Sequence, residues 1–222
     1  MSNIYIITGH YGSGKTEVAV NLAFKLQEEG KKVALGDLDI VNPYFRSRER
    51  ADQLEAKGIQ VVSSTLGHNS SLDLPAVSSE IRGPISSPDT EVILDLGGDM
   101  AGARAVTLFI DDIKKQNYEM YLVINPYRQE TTDVKGVLKH LEQIEYATKL
   151  KVTGLISNAH MIWDTTAEDI LHGLRLTRLV SEETGLPIVM VTGFQSELEK
   201  IVDEIGEIPT LHIGMYMRDA WM

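Results

Sequence analysis

Cysteine is absent from the 222 residues, which excludes disulfides, iron–sulfur clusters and cysteine-based zinc sites within the chain. No apolar run approaches the length that spans a bilayer, and no opening segment joins a positive stretch to an apolar core. The expectation is therefore a cytoplasmic protein with no membrane partner. Positive charge is scarce: 21 Lys and Arg face 32 Asp and Glu, for a formal net charge of −11. Such a surface repels phosphate backbones, so nucleic acid is not expected as a partner either. Low-complexity tracts, internal repeats and linker-like runs are also missing, and the length suits one large α/β domain. One domain over residues 1–222 is expected.

What is present begins with the apolar run Ile4-Tyr5-Ile6-Ile7, followed by Gly9-His10-Tyr11-Gly12-Ser13-Gly14-Lys15-Thr16. The second stretch reads G-x-x-x-x-G-K-T without a mismatch, the pattern of a phosphate-binding loop. Gly9, Gly12 and Gly14 let the backbone curl so that its N–H groups, including that of Ser13, face a polyphosphate. Lys15 brings a mobile charge to the terminal phosphates, and the Thr16 hydroxyl is a ligand for Mg²⁺. Val18, Ala19, Leu22, Ala23 and Leu26 then recur at helical spacing, so a helix N-terminus adds its partial positive charge to the site.

Gly30 ends that helix, and a second strand over 32–36 leads into Asp37-Leu38-Asp39-Ile40-Val41-Asn42-Pro43. Ligands gather beyond the carboxyl ends of strands in open α/β sheets. At such a place one carboxylate holds a Mg²⁺-bound water and the other orients an attacking water, or else Asp39 and Asn42 merely cap the turn before Pro43. A charged helix is expected over about 47–57 and a strand over 59–62. Residues 63–88 carry little period beyond one short helix starting near Pro75; His68 and Asn69 lie there in a polar setting.

Glu91-Val92-Ile93-Leu94-Asp95-Leu96-Gly97-Gly98 is the second strong signal. It reads as a strand buried on both faces with D-x-x-G at its end, which places Asp95 for Mg²⁺ through water and the Gly98 N–H for a γ-phosphate. Ala101-Gly102-Ala103-Arg104 comes next, followed by a helix through about Lys115; the segment is expected to move with nucleotide state, or else to be an ordinary strand-to-helix loop with Arg104 solvated. The strand over 118–125 ends in Asn125-Pro126-Tyr127-Arg128, not the N-K-x-D of guanine readers, which argues against GTP. A helix from about Thr132 and a strand over 151–158 come next. Asn158 then either reads a base edge with its amide or forms a turn. Capping boxes are expected at Thr165-Thr166-Ala167-Glu168 and at 196–199, with a last core strand over 188–191 between them. The apolar ending, 215–222, is expected to dock on the body.

Strands and helices alternate throughout, so the fold class is α/β, a mostly parallel sheet covered on both faces. The loop, the Asp37-x-Asp39 element, Asp95-x-x-Gly98 and Asn158 together resemble the MinD/ParA-type P-loop ATPases, the superfamily that also holds the nitrogenase iron protein and dethiobiotin synthetase. The resemblance implies ATP and Mg²⁺ bound by Gly12, Ser13, Gly14, Lys15 and Thr16, with Asp37 and Asp95 near the metal, Asp39 positioning water and Asn158 on adenine. It also implies a nucleotide-dependent switch acting on a partner protein, with a nucleotide-dependent homodimer as one form. His10 stands where the MinD/ParA loop carries a signature lysine, which leaves Arg46, Arg48, Arg104 and Arg128 as candidates for the missing charge. The same departure is compatible with an ATP-dependent enzyme that phosphorylates a small carboxylic acid, as dethiobiotin synthetase does, or with a nucleotide sensor that does not hydrolyse.

Overall fold

The structure, a computed structural model, describes residues 3–39, 48–62 and 81–217, and of residues 48–50 the backbone only. Eight strands form one sheet in which every neighbouring pair is parallel, in the order β3-β2-β4-β1-β5-β6-β7-β8. They are β1 (Asn3–Thr8), β2 (Lys32–Asp37), β3 (Ile59–Val62), β4 (Thr90–Asp95), β5 (Asn117–Ile124), β6 (Gly154–Ser157), β7 (Ile188–Gly193) and β8 (Thr210–His212).

The continuous apolar strands are buried on both faces because successive side chains point to opposite sides. On β1, β4 and β5, Ile6, Leu94 and Leu122 enter one core while Ile7, Ile93 and Val123 enter the other. The helix α1 (Lys15–Glu28) covers the second core with Val18, Ala19 and Leu22. The first is covered by α6 (Val134–Thr148) through Val137, Leu141 and Ile144. From β1 the chain crosses to β2 on one flank of the sheet, and from β4 to β5 on the other. The reversal leaves a crevice beyond the carboxyl ends of β1 and β4, the place where such sheets bind ligands.

The remaining helices are α2 (Arg48–Ala56), α3 (Arg82–Ser86), α4 (Met100–Ala103), α5 (Ile110–Lys114), α7 (Ala167–Thr184), α8 (Gln195–Leu198) and α9 (Val202–Ile205). Several differ from expectation. Residues 101–103, expected to precede a helix, are already helical in α4, and the helix expected from there through about 115 is a 3₁₀ stretch at Arg104–Phe109 followed by α5. Within the 3₁₀ stretch the Thr107 hydroxyl donates to the Arg104 carbonyl at 2.7 Å, a local bond that competes with the α-helical ladder. The capping box of α7 sits on Thr166 and Asp169, one position beyond the expected pair. None forms at 196–199: α8 starts after Phe194 without a side-chain cap, and Gln195 bonds Glu199 instead. The short helix near Pro75, His68 and Asn69 lie outside the described residues, as do 40–43 and 218–222. Among the described residues no helix is long and apolar enough to cross a membrane.

Candidate functional site

The loop between β1 and α1 has the backbone its glycines allow. Gly12 and Gly14 sit at φ 74° and 86°, a left-handed conformation that side chains disfavour. The Ser13 N–H donates to the His10 carbonyl at 2.9 Å and closes the turn. Two side chains brace the loop from outside. Arg128 donates through Nε to the Gly12 carbonyl at 2.5 Å and through Nη1 to the Tyr127 carbonyl at 3.0 Å. Asn158 donates through Nδ2 to the Ser13 carbonyl at 2.6 Å, and its Oδ1 accepts from the Thr192 hydroxyl. Gly9 packs on β5, where an added Cβ would lie 2.6 Å from the Val123 carbonyl oxygen.

The acids expected to meet this loop do so. Asp37 and Asp95 are direct partners in the β2–β4 register. Lys15 Nζ lies 2.8 Å from Asp39 Oδ2, the Thr16 hydroxyl donates to Asp95 Oδ2 at 2.6 Å, and the Asp39 N–H donates to Asp37 Oδ1 at 2.9 Å. All five are buried. Asp95 Oδ1 has no hydrogen-bond partner. Burial pushes the Asp95 carboxyl up to about 6, against the lowering effects of Lys15 and the Thr16 hydroxyl and with the help of Asp39.

An orphaned carboxylate oxygen beside a hydroxyl and a second acid is a hard-oxygen donor set that fits Mg²⁺. Among the described residues no three His, Cys, Asp or Glu side chains form a metal cage. Gly98 lies against the loop itself: an added Cβ would sit 2.3 Å from the Gly9 carbonyl oxygen and 3.0 Å from Tyr11 N. Asp99 caps α4 by accepting from the Gly102 N–H at 2.6 Å.

Of the four arginines, Arg128 alone is found on the loop among the described side chains; Arg104 is exposed, and Arg46 and the Arg48 side chain are outside the described set. His10 has a neighbourhood that the sequence did not announce. Its Nε2 is 3.5 Å from Glu130 Oε2, and its ring meets the buried His140 edge-on at 5.4 Å. Burial holds His140 down at about 4, with His10 adding to the effect and Glu130 opposing it.

Beside the loop opens a cavity of about 380 Å³, a size suited to a small ligand. The loop and the start of α1 form one side, Asn158 and His160 contribute from just beyond β6 and Phe194 from just beyond β7, and Ile213, Met215 and Met217 complete the wall.

Residues 4–175 match the model of the CobQ/CobB/MinD/ParA nucleotide-binding domain family, CbiA. The chain belongs to this family. Nucleotide binding by a P-loop domain is thus supported by both sequence and geometry. CbiA membership bears out the resemblance drawn from the motifs, while the role of His10 is not addressed by it. Among solved structures, the chain is similar to chloroplast FtsY from Physcomitrella patens at 20% identity and TM-score 0.57, covering 85% of this chain and 57% of that one. FtsY from Thermotoga maritima gives 26% identity and TM-score 0.55, covering 84% and 60%. The signal recognition particle 54 kDa protein from Aeropyrum pernix, in complex with GDP, gives 20% and 0.53, covering 84% and 40%. The chain therefore spans 60% or less of these relatives' own lengths, and the likeness is one of fold. No curated protein sequence matches.

Proposed function

We propose that this CbiA-family chain is a Mg²⁺-dependent ATPase of MinD/ParA type, a single cytoplasmic nucleotide-binding domain whose nucleotide state controls association with a partner protein. The observation that carries the reading is the convergence of Lys15, Thr16, Asp37, Asp39 and Asp95 on one loop. The backbone N–H groups of Gly9, Gly12 and Gly14 grip the phosphates, with that of Ser13 joining them once it leaves the His10 carbonyl, and the Gly98 N–H reaches the γ-phosphate from the other side. Thr16, Asp37 and Asp95 would hold Mg²⁺ directly or through water, and the bound ion would neutralise charge on the phosphates. Lys15 exchanges Asp39 for the phosphates, and the released Asp39 orients a water for in-line attack on the γ-phosphorus while the bond to ADP breaks.

For the base, the cavity favours adenine. Guanine's N1–H and amino group are two donors side by side, which a carboxylate accepts as a pair. The only acid among the described lining residues is Glu17, and it accepts from the N–H groups of Tyr216 and Met217. Asn158 keeps one N–H and one lone pair beyond its bonds to Ser13 and Thr192, enough to read an adenine edge. GTP is the competing reading, because FtsY from Elizabethkingia anophelis and the Aeropyrum protein are known with GDP.

Titration calorimetry with Mg²⁺ and either ATP or GTP decides between them, alongside phosphate release and light scattering with ATP, ADP and no nucleotide. ATP binding with slow phosphate release is expected, with Lys15→Ala binding neither nucleotide. No heat with ATP ends the proposal. Tight binding with release only after a carboxylic acid is added transfers it to the biosynthetic kinase, and bound ATP that stays intact to the non-hydrolysing sensor.

A further inference from the structure

The carbonyls of Gly12 and Ser13 are held by two different connections of the fold. Arg128, just beyond β5, takes the Gly12 carbonyl, and Asn158, just beyond β6, takes that of Ser13. In a trans peptide the carbonyl and the following N–H point opposite ways. Holding these two oxygens outward therefore turns the N–H groups of Ser13 and Gly14 towards the inside of the loop, the side that receives phosphates.

The two connections are in turn tied to each other. The Tyr127 hydroxyl donates to Asp169 Oδ1 in the first turn of α7, and Asn125 Nδ2 donates to the His160 carbonyl at 3.5 Å. Asp169 divides its carboxylate between two tasks. Its Oδ2 accepts from the Thr166 N–H at 2.8 Å and the Thr166 hydroxyl at 2.6 Å, closing the cap of α7, and Oδ1 takes Tyr127. Three residues on, the His172 ring meets that of Tyr127 with centroids 5.6 Å apart. At the other end Arg128 Nη1 donates to the Tyr127 carbonyl at 3.0 Å, so where the guanidinium lies depends on where its neighbour lies.

Resting on the nucleotide-binding reading above, we propose that Tyr127 and Asp169 are positioning residues for the phosphates. Their bond is a cross-tie from the first turn of α7 to the connection beyond β5, and it keeps Arg128 on Gly12 so that the loop is set before a ligand arrives. Ordering done at folding is not charged against binding. Neither Tyr127 nor Asp169 lines the cavity, so their influence on a ligand passes through the loop.

Competition binding with Mg²⁺·ATP and with Mg²⁺·tripolyphosphate, which has the phosphates and no base, tests this. Tyr127→Phe keeps the ring and removes only the hydroxyl, and it should weaken both probes by the same factor, about fivefold. Made in an Arg128→Ala background, the same change should cost less than about twofold, because the path it acts through is gone. Asp169→Asn keeps an oxygen for the Thr166 cap but weakens the acceptor, and should show the same pattern. Thermal melts confirm that each variant is folded. Unchanged affinity in Tyr127→Phe, a loss for ATP that tripolyphosphate does not share, or an equal loss with and without Arg128 overturns the cross-tie while leaving the nucleotide reading intact. A wild-type protein that binds neither probe removes both.

Discussion

Lys15 and Asp39 are joined by a 2.8 Å ion pair whose side chains are only 7% and 4% exposed. The ammonium is thus neutralised by the carboxylate, and on the proposed mechanism nucleotide binding is an exchange of partners. Removing one member of a buried pair costs about 3–5 kcal/mol where the other is left uncompensated, but Lys15 also attracts the Asp95 carboxylate. Asp39→Ala should therefore lower ligand-free stability by less than that, retain Mg²⁺·ATP binding and slow phosphate release by about a hundredfold or more. Denaturant unfolding and a turnover assay check it; wild-type turnover in the variant would remove Asp39 from the mechanism.

Gly98→Ala places a methyl 2.3 Å from the Gly9 carbonyl oxygen, where backbone must give way. The expected outcome is separation of the Asp95 element from the loop and loss of turnover by about a hundredfold, with a smaller loss of affinity. Calorimetry and phosphate release measure the two effects. Normal turnover would mean that this contact has no part in catalysis.

Arg128 holds the far side of the loop through Nε on the Gly12 carbonyl, while its Nη1 bonds the carbonyl of its own neighbour Tyr127. Charge-assisted bonds of this kind contribute about 1.5–3 kcal/mol, so Arg128→Ala should weaken nucleotide binding roughly tenfold. Arg128→Lys should not restore it, because a single ammonium lacks the fork. An unaltered dissociation constant in Arg128→Ala would show the brace to be dispensable.

His140 predicts an acid limb of stability. Its folded-state value is held at about 4, below the usual 6.5, by burial. Above pH ~6.5 the ring is neutral in both states; as pH falls towards about 4 the unfolded chain takes a proton that the folded one refuses. At about 1.4 kcal/mol per pH unit, the full window costs about 3 kcal/mol, most of the first 2 appearing by pH 5. Comparing urea unfolding of wild type and His140→Leu at pH 7 and pH 5 isolates the contribution. Equal pH dependence in the two proteins would exclude His140 as its source.

The parts of the fold and site that the sequence revealed are those encoded locally. Ile4 to Ile7 and Val92 to Leu94 are unbroken apolar runs, so they announce strands buried on both faces, and the glycines of the loop announce its curl. The meeting of Asp37 with Asp95 was legible because both end such strands. The features that escaped depend on distant partners. β8 is three residues, Thr210 to His212, too short for a period, and exists by pairing with β7. The choice of Arg128 among four arginines, and the fastening of Gly214 to Asn21, join residues 116 and 193 positions apart, and no pattern of spacing encodes them.

The closing of the cavity by residues 213–217 onto a floor laid down at residues 11–17 also has a temporal meaning. While the chain is being synthesised, the phosphate cradle emerges first, and its cleft stays open on one flank until β8 and residues 213–217 behind it have left the ribosome. The wall is thus complete only once some two hundred residues separate the cradle from that segment.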